Sequence, residues 1–299
     1  MGDKTGIEWT DATWNPIRGC TRVSEGCRNC YAEAVAGRFC SPGQPYAGLA
    51  QVVTGIPRLN GGVRSEARWT GKIRFVPEHL EDPFRWKRPR RIFVNSMSDL
   101  FHPDVTDQNI LAILAVMYAA KRHQFQVLTK RPERMKDFLL REQFKVGAVN
   151  FVMPENPAPN IWWGVSVEDQ ATADYRIPFL LQTPAAIRWV SYEPALGSVD
   201  FDIAAWLSSL DWIVCGGESG PNARPMHPAW ARAVRDQCVE AGVPFLFKQW
   251  GEWFPVDKNL PNGWQGPKVY NFGDQWMLKQ GKKRAGRLLD GRTWDQYPK

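Results

Sequence analysis

The sequence predicts an α/β protein: a complete or partial (β/α) barrel of mostly parallel strands, with an irregular C-terminal appendage. Two observations predict it. Seven short apolar, β-branched or aromatic runs alternate with stretches of helical period, the pattern of parallel strands joined by crossover helices. In addition, Ser166-Val-Glu168, Ser191-Tyr-Glu193 and Gly216-Gly-Glu218 each close a run, and their glutamates are 25 residues apart both times. A step of that length is one βα unit.

The expected strands are 14–18, 91–95, 126–129, 161–166, 187–191, 212–216 and 244–248. Helical period is read over 105–122, 132–142, 169–182, 201–210 and 228–241. Residues 41–71 are rich in Gly and Pro with little periodicity, and read as a loop insertion or lid. Residues 146–160 hold three prolines and read as a short insertion. A barrel over 1–250 is thus expected, with 251–299, rich in Gly, Trp and Lys, as an appendage packed on it. Consecutive parallel strands end on one face, so Glu168, Glu193 and Glu218 are expected at one mouth, with Asp99, Lys130 and Lys248 reaching it too. Acidic residues after a strand also cap the next helix, the role read for Asp169.

The chain has 299 residues, enough for one large domain or two small ones. Hydrophobic residues make up 43% and charged residues 23%, which excludes a disordered chain, a coiled coil or a collagen-like repeat. No apolar run approaches the roughly 20 residues that span a bilayer. Residues 1–9 are polar and read as no secretory signal, so a cytoplasmic protein without a membrane partner is expected. The net charge of +7 favours an anionic partner, nucleic acid or nucleotide first. Arg85, Lys87, Arg88, Arg90 and Arg91 form one basic cluster, and Lys279, Lys282, Lys283, Arg284 and Arg287 a second. Both also read as solvated surface. The 15 Trp and 15 Phe would serve base stacking or, more commonly, the core.

Six cysteines in a reducing compartment argue against a disulfide framework. Cys20, Cys27 and Cys30 stand as Cys-x6-Cys-x2-Cys on a Gly-containing loop, while Cys215 and Cys238 lie in apolar or helical runs as small hydrophobes. Three thiolates close in sequence suit a metal. Arg18, Arg22 and Arg28 beside them are expected to lower the thiol pKa values. A [4Fe–4S] cluster on three cysteines leaves one iron open for a substrate or cofactor. Zinc would need a fourth ligand, from Cys40 or from His79, His102, His123 or His227.

Three cysteines after the first strand, followed by βα repeats, resemble the radical S-adenosylmethionine (SAM) superfamily. More closely, Ile7-Glu-Trp-Thr-Asp-Ala-Thr-Trp-Asn-Pro16, the cysteine segment running into Tyr31-Ala-Glu33, Leu128-Thr-Lys-Arg-Pro132, Ser191-Tyr-Glu-Pro194, Gly216-Gly-Glu-Ser219 and the Leu288–Trp294 tail resemble a phage-encoded three-cysteine-motif family of unknown function. The superfamily spacing is Cys-x3-Cys-x2-Cys, whereas the first gap here is six residues. Its Gly-Gly-Glu element follows the second strand, where this chain has Asn95-Ser-Met-Ser-Asp99.

The resemblance implies that Cys20, Cys27 and Cys30 ligate three irons of a [4Fe–4S] cluster, with SAM on the fourth. The reduced cluster would cleave SAM to a 5′-deoxyadenosyl radical. Asn95, Ser96 and Asp99 would lie near the SAM amino group, Lys130 or Arg131 would meet its carboxylate, and Glu218 joins the cofactor-binding set. Glu168, Glu193 and Lys248 would line the pocket as catalytic residues. Two functions stay open: a radical SAM-like enzyme that modifies or repairs a nucleic-acid base flipped into the mouth, and a non-catalytic nucleic-acid-binding protein stabilised by zinc or a structural cluster. A partner protein is left open.

Overall fold

The computed structural model describes residues 5–57, 62–141, 143–146, 149–152, 157–202, 205–256, 266 and 268–299. The expected α/β class is what is found. One mostly parallel sheet has seven strands in the order β1-β2-β3-β4-β5-β6-β7, each beside its neighbour in sequence. The strands are β1 (Ala12–Trp14), β2 (Arg91–Val94), β3 (Gln124–Thr129), β4 (Ile161–Val167), β5 (Ile187–Tyr192), β6 (Trp212–Gly216) and β7 (Phe245–Gln249). Sequential order with helical crossovers is the topology of a partial (β/α) barrel. Every position of β4 and β6 is buried, which is why these strands read as unbroken apolar runs rather than alternating ones. The chain divides into two compact units: residues 1–163 with 183–186, and residues 164–182 with 187–299.

In the first unit, β2 pairs in parallel with β1, Trp14 opposite Val94, and with β3, Val94 opposite Val127. Helix α1 (Tyr31–Gly37) follows the cysteine loop. Helix α2 (Asp107–Ala119) starts where Thr106 accepts a hydrogen bond from the Asn109 N–H, and it buries Ile110, Leu111, Ile113, Leu114 and Met117. Pro132 supplies the first residue of α3 (Pro132–Leu139), where its missing N–H costs nothing.

Several expectations are corrected here. The strand read over 14–18 stops at Trp14, because Pro16 has no N–H for the ladder. Ile17–Arg18 pairs instead with Arg74–Phe75, antiparallel. The segment read as a loop holds an antiparallel hairpin, Ala50–Pro57 with Val63–Trp69, packed against α1. Residues 58–61 at its turn lie outside the described residues. Its exposed and half-exposed residues mix on both faces, and the register shifts between Val53 and Ile56, so no apolar alternation marks it. Within 146–160, Val149–Val152 pairs with Gln143–Val146, while 147–148 and 153–156 lie outside the described residues.

In the second unit, β6 pairs in parallel with β5 and β7. Gly164 is required by packing: a Cβ there would lie 2.5 Å from the buried Trp189 ring. Helix α4 (Gln170–Leu181) carries the Asp169 cap read from the sequence, with Asp169 and Thr172 exchanging side-chain bonds to each other's backbone. The helix read over 201–210 is only a 3-10 turn, Trp206–Ser209, with 203–204 outside the described residues. Helix α5 (Pro228–Ala241) ends at Gly242, φ +70°.

The segment beyond β7 is more regular than expected. Trp253–Val256, Trp276–Lys279 and Val269–Asn271 form an antiparallel sheet, with 257–265 and 267 outside the described residues. The tail turns at Asp290 and Gly291, φ +51° and +81°, the conformation of a two-residue type I′ hairpin. It then runs antiparallel along β7, where the Phe247 N–H donates to Trp294 O and the Gln296 N–H to Phe245 O. An edge strand is thereby covered. Arg232 and Arg235 of α5 both reach the Asp290 carboxylate. No helix among the described residues is long and apolar enough to cross a membrane.

The hydrogen bonds from Arg232, and then Arg235, hold Asp290 below the ordinary carboxylate value of 3.8. A carboxylate depressed in the fold adds stability that is complete above the unfolded pKa and is lost as pH falls through the folded one. Asp290→Asn is therefore expected to reduce the loss of Tm between about pH 5 and about pH 3. Melting curves of both proteins check this; equal losses would show that the charge does not hold the tail.

Candidate functional site

The cysteine loop leaves β1 through Asn15 and Gly19. The Asn15 Oδ1 accepts the Met97 N–H at 2.9 Å and the Ser96 hydroxyl at 3.2 Å. The Ser98 hydroxyl donates to Ile17 O, and Gly19 pairs with Ser98 in a parallel bridge. The loops after β1 and β2 are thus bound side by side. Gly19 has φ +94°, and a Cβ on it would sit 2.2 Å from Lys72 O, so no other residue fits there unchanged.

Cys20 follows directly. Cys27 closes a 3-10 turn, Glu25–Cys27, and Cys30 is the N-cap of α1. Glu33, one turn into that helix and buried, accepts Arg22 Nε at 3.1 Å and the Trp69 N–H at 3.2 Å. One carboxylate therefore fixes the cysteine loop, α1 and the hairpin.

Cys30 lies within electrostatic reach of both Cys20 and Cys27. Cys20 is pushed up to about 12 by burial first, then by Asp99, with Cys30 adding to it and Arg131 opposing. Cys30 is raised by burial first, with Cys27 and Glu33 adding to it. At Cys20 and Cys30 this corrects the expected lowering. Arg22 goes to Glu33, Arg18 lies over the Tyr46 ring at 5.6 Å, and Arg28 approaches Glu25 at 3.7 Å. Arg131, distant in sequence, faces Cys20 instead, with Nη1 at 3.9 Å from Sγ.

Arg131 belongs to a buried network. Asp99 accepts from the Thr129 hydroxyl (2.7 Å), the Phe101 N–H (2.9 Å), the Lys130 N–H (3.2 Å) and Arg131 Nη1 (2.9 Å). Lys130 thus meets Asp99 through its main chain. Arg131 Nη2 donates to Thr21 O at 3.0 Å and to Thr21 Oγ1 at 2.7 Å. His102 Nδ1 accepts the Asp104 N–H, so a neutral ring carries its hydrogen on Nε2 and donates to Thr21 Oγ1 at 2.9 Å. Burial, then Arg131, lowers the His102 pKa and keeps that ring neutral.

Asn95 follows β2 directly in the left-handed region, φ +58°, with 2% of its surface exposed. Neither its side-chain oxygen nor its nitrogen has a hydrogen-bond partner. A strained, buried amide with both ends open is costly, and a ligand that uses both ends removes the cost. Next to it, Ser96 gives its hydroxyl to Asn15 and its carbonyl to the Tyr31 hydroxyl.

In the second unit each glutamate has its own cation. The Glu168 carboxylate takes Arg176 Nη1 at 3.1 Å, with both side chains buried. Glu218 takes Arg224 through Nη2 at 2.6 Å, Nε at 3.0 Å and the main-chain N–H at 2.8 Å. Glu193 receives Lys248 Nζ at 3.1 and 3.3 Å and the Ser191 hydroxyl at 3.2 Å. Gly216 makes room for that pair, because a Cβ there would lie 2.4 Å from Glu193 Oε1.

The structure therefore gathers Cys20, Cys27, Cys30, Asn95, Ser96 and Asp99 in one unit and joins Glu193 to Lys248 in the other. Glu168 and Glu218 are tied to Arg176 and Arg224. Sequence reasoning gave no role to Thr21, Glu33, Arg176 or Arg224, and weighed His102 only as a zinc ligand. Of these, Arg176 and Arg224 alone left a signal, as cations a few residues past a strand-end glutamate.

Among the described residues no three Cys, His, Asp or Glu groups are close enough to hold a single metal ion. The fourth zinc ligands considered have other partners: Cys40 donates to Gly37 O, His79 meets Asp82, His102 meets Thr21, His123 meets Pro83 O and His227 meets Asp274. A cluster, which takes each thiolate on a different iron, asks for wider spacing and no fourth protein donor. By number and kind of donor, the three cysteines fit a three-cysteine cluster.

A mostly parallel partial (β/α) barrel, with three thiols on the loop after its first strand, defines the class of protein. The chain belongs to the family described as "Protein of unknown function (DUF5131)", whose model matches residues 4–298. No curated protein matches it. Solved structures similar to it include spore photoproduct lyase complexed with dinucleoside spore photoproduct, at 10% identity and a TM-score of 0.38, covering 88% of this chain and 67% of that one. A point mutant of spore photoproduct lyase is similar at 10% identity and a TM-score of 0.37, with the same coverage.

Glu33→Gln is expected to loosen the cysteine loop of the metal-free protein. Thiol labelling should accelerate about tenfold, the equivalent of one hydrogen bond to a charged group of roughly 1.5 kcal/mol. Stopped-flow labelling with a disulfide reagent measures it; an unchanged rate would show that the loop is held without Glu33.

Proposed function

We propose that the chain is a radical SAM-like iron–sulfur enzyme acting on a nucleic-acid or nucleotide base. The observation that carries this reading is the pairing of two loops: the loop after β1 that bears the three cysteines, and the loop after β2 with its unpartnered buried amide, bound together at Gly19 and Ser98. Cys20, Cys27 and Cys30 would hold a [4Fe–4S] cluster. When bound and reduced, that cluster supplies the electron that cleaves SAM to a 5′-deoxyadenosyl radical.

The chain's own residues do the binding and shielding. Asn95 offers a donor and an acceptor together, which matches the amino and carboxylate ends of an amino acid. Asp99 holds Arg131 with its charge towards Cys20. In the second unit, Lys248 Nζ and the Glu193 carboxylate share a proton-bearing contact, a pair suited to moving a proton at a substrate. The net charge of +7 and the exposed Lys87 and Arg88 support an anionic substrate. The reading places the chain in the cytoplasm, where thiols stay reduced. Residues 1–250 would carry the barrel and 251–299 brace its last strand.

Anaerobic reconstitution tests the site. Wild type is expected to bind about four irons per chain, and Cys20→Ala to lose most of them. Asn95→Ala should keep its iron but bind SAM at least about tenfold more weakly, the loss of a hydrogen bond to a charged group. Stoichiometric zinc without sulfide would instead support a metal-stabilised nucleic-acid-binding protein.

A further inference from the structure

We infer that Arg131 is a positioning residue that sets the reduction potential of the metal centre at Cys20. This rests on the iron–sulfur reading above and extends it to a residue that ligates nothing. A buried arginine needs only its carboxylate for neutrality. Arg131 does more: Nη1 bridges Asp99 Oδ2 at 2.9 Å and Cys20 Sγ at 3.9 Å. Nη2 is fixed by both oxygens of Thr21, the residue next to that cysteine. Thr21 Oγ1 is in turn held by His102. The planar fork is thus fixed by two groups on the cysteine loop and one on the loop after β2, and Nη1 also faces the sulfur.

The consequence is electrostatic. Reduction adds one electron to the centre and so adds negative charge at the cysteine sulfurs. A guanidinium against one sulfur stabilises the reduced form, and N–H donors to ligand sulfurs raise the potential in the same sense. Both members of the Asp99–Arg131 pair are largely buried, so water and salt screen the field weakly. Asp99 acts oppositely on the same sulfur, so removing Arg131 also leaves that carboxylate uncompensated.

The test is a dithionite titration of the reconstituted protein without SAM, followed by electron paramagnetic resonance. Arg131→Gln is expected to lower the midpoint potential by about 59 mV or more, a tenfold change in a one-electron equilibrium. Arg131→Lys keeps the charge and is expected to recover part of the shift. Thr21→Val loosens the fork without removing charge and should shift the potential the same way by less. Unchanged potentials in iron-loaded Arg131→Gln overturn the inference. If that variant holds no iron, Thr21→Val decides alone, and a wild-type potential there overturns it. A wild-type chain that binds no iron–sulfur centre contradicts the underlying reading instead, and this inference with it.

Discussion

The buried Asp99 carboxylate is the constraint on which the rest of the candidate site depends. A charge out of water must be matched and hydrogen-bonded. Asp99 meets that demand with donors from its own loop, from the end of β3 and from Arg131. Because Arg131 passes the connection on to Thr21, the loops after the first three strands are tied through one anion. The cysteine loop acquires its conformation from that tie, from the Gly19–Ser98 bridge and from the Arg22–Glu33 clamp, before any metal is considered.

The three strand-end glutamates of the second unit share a sequence pattern but not a kind of partner. Glu168 is closed off by Arg176, and each would be an uncompensated buried charge without the other. Glu218 is held by Arg224 through both side chain and main chain. Glu193 differs because its partner is an amine on the last strand of the sheet, and because Gly216 leaves space beside it.

The βα repeat was legible because strands buried on both faces write themselves as apolar runs, and the 25-residue spacing of the glutamates reported one unit per step. The Asp169 cap was legible because capping is local. The hairpin over 50–69 was not, because it buries no continuous apolar face. The thiol environment was misread for a different reason. Arg22 and Arg28 pair with Glu33 and Glu25, and burial outweighs the neighbouring cations at Cys20 and Cys30. Arg131 lies 111 residues from Cys20 and reaches it only because β1, β2 and β3 are adjacent.

The measurement that tests the central claim most directly is electron paramagnetic resonance of anaerobically reduced protein before and after SAM is added. An iron–sulfur signal that changes on addition is predicted, because three cysteines leave one iron for the added ligand. A signal indifferent to SAM, or its absence alongside stoichiometric zinc, would contradict the account.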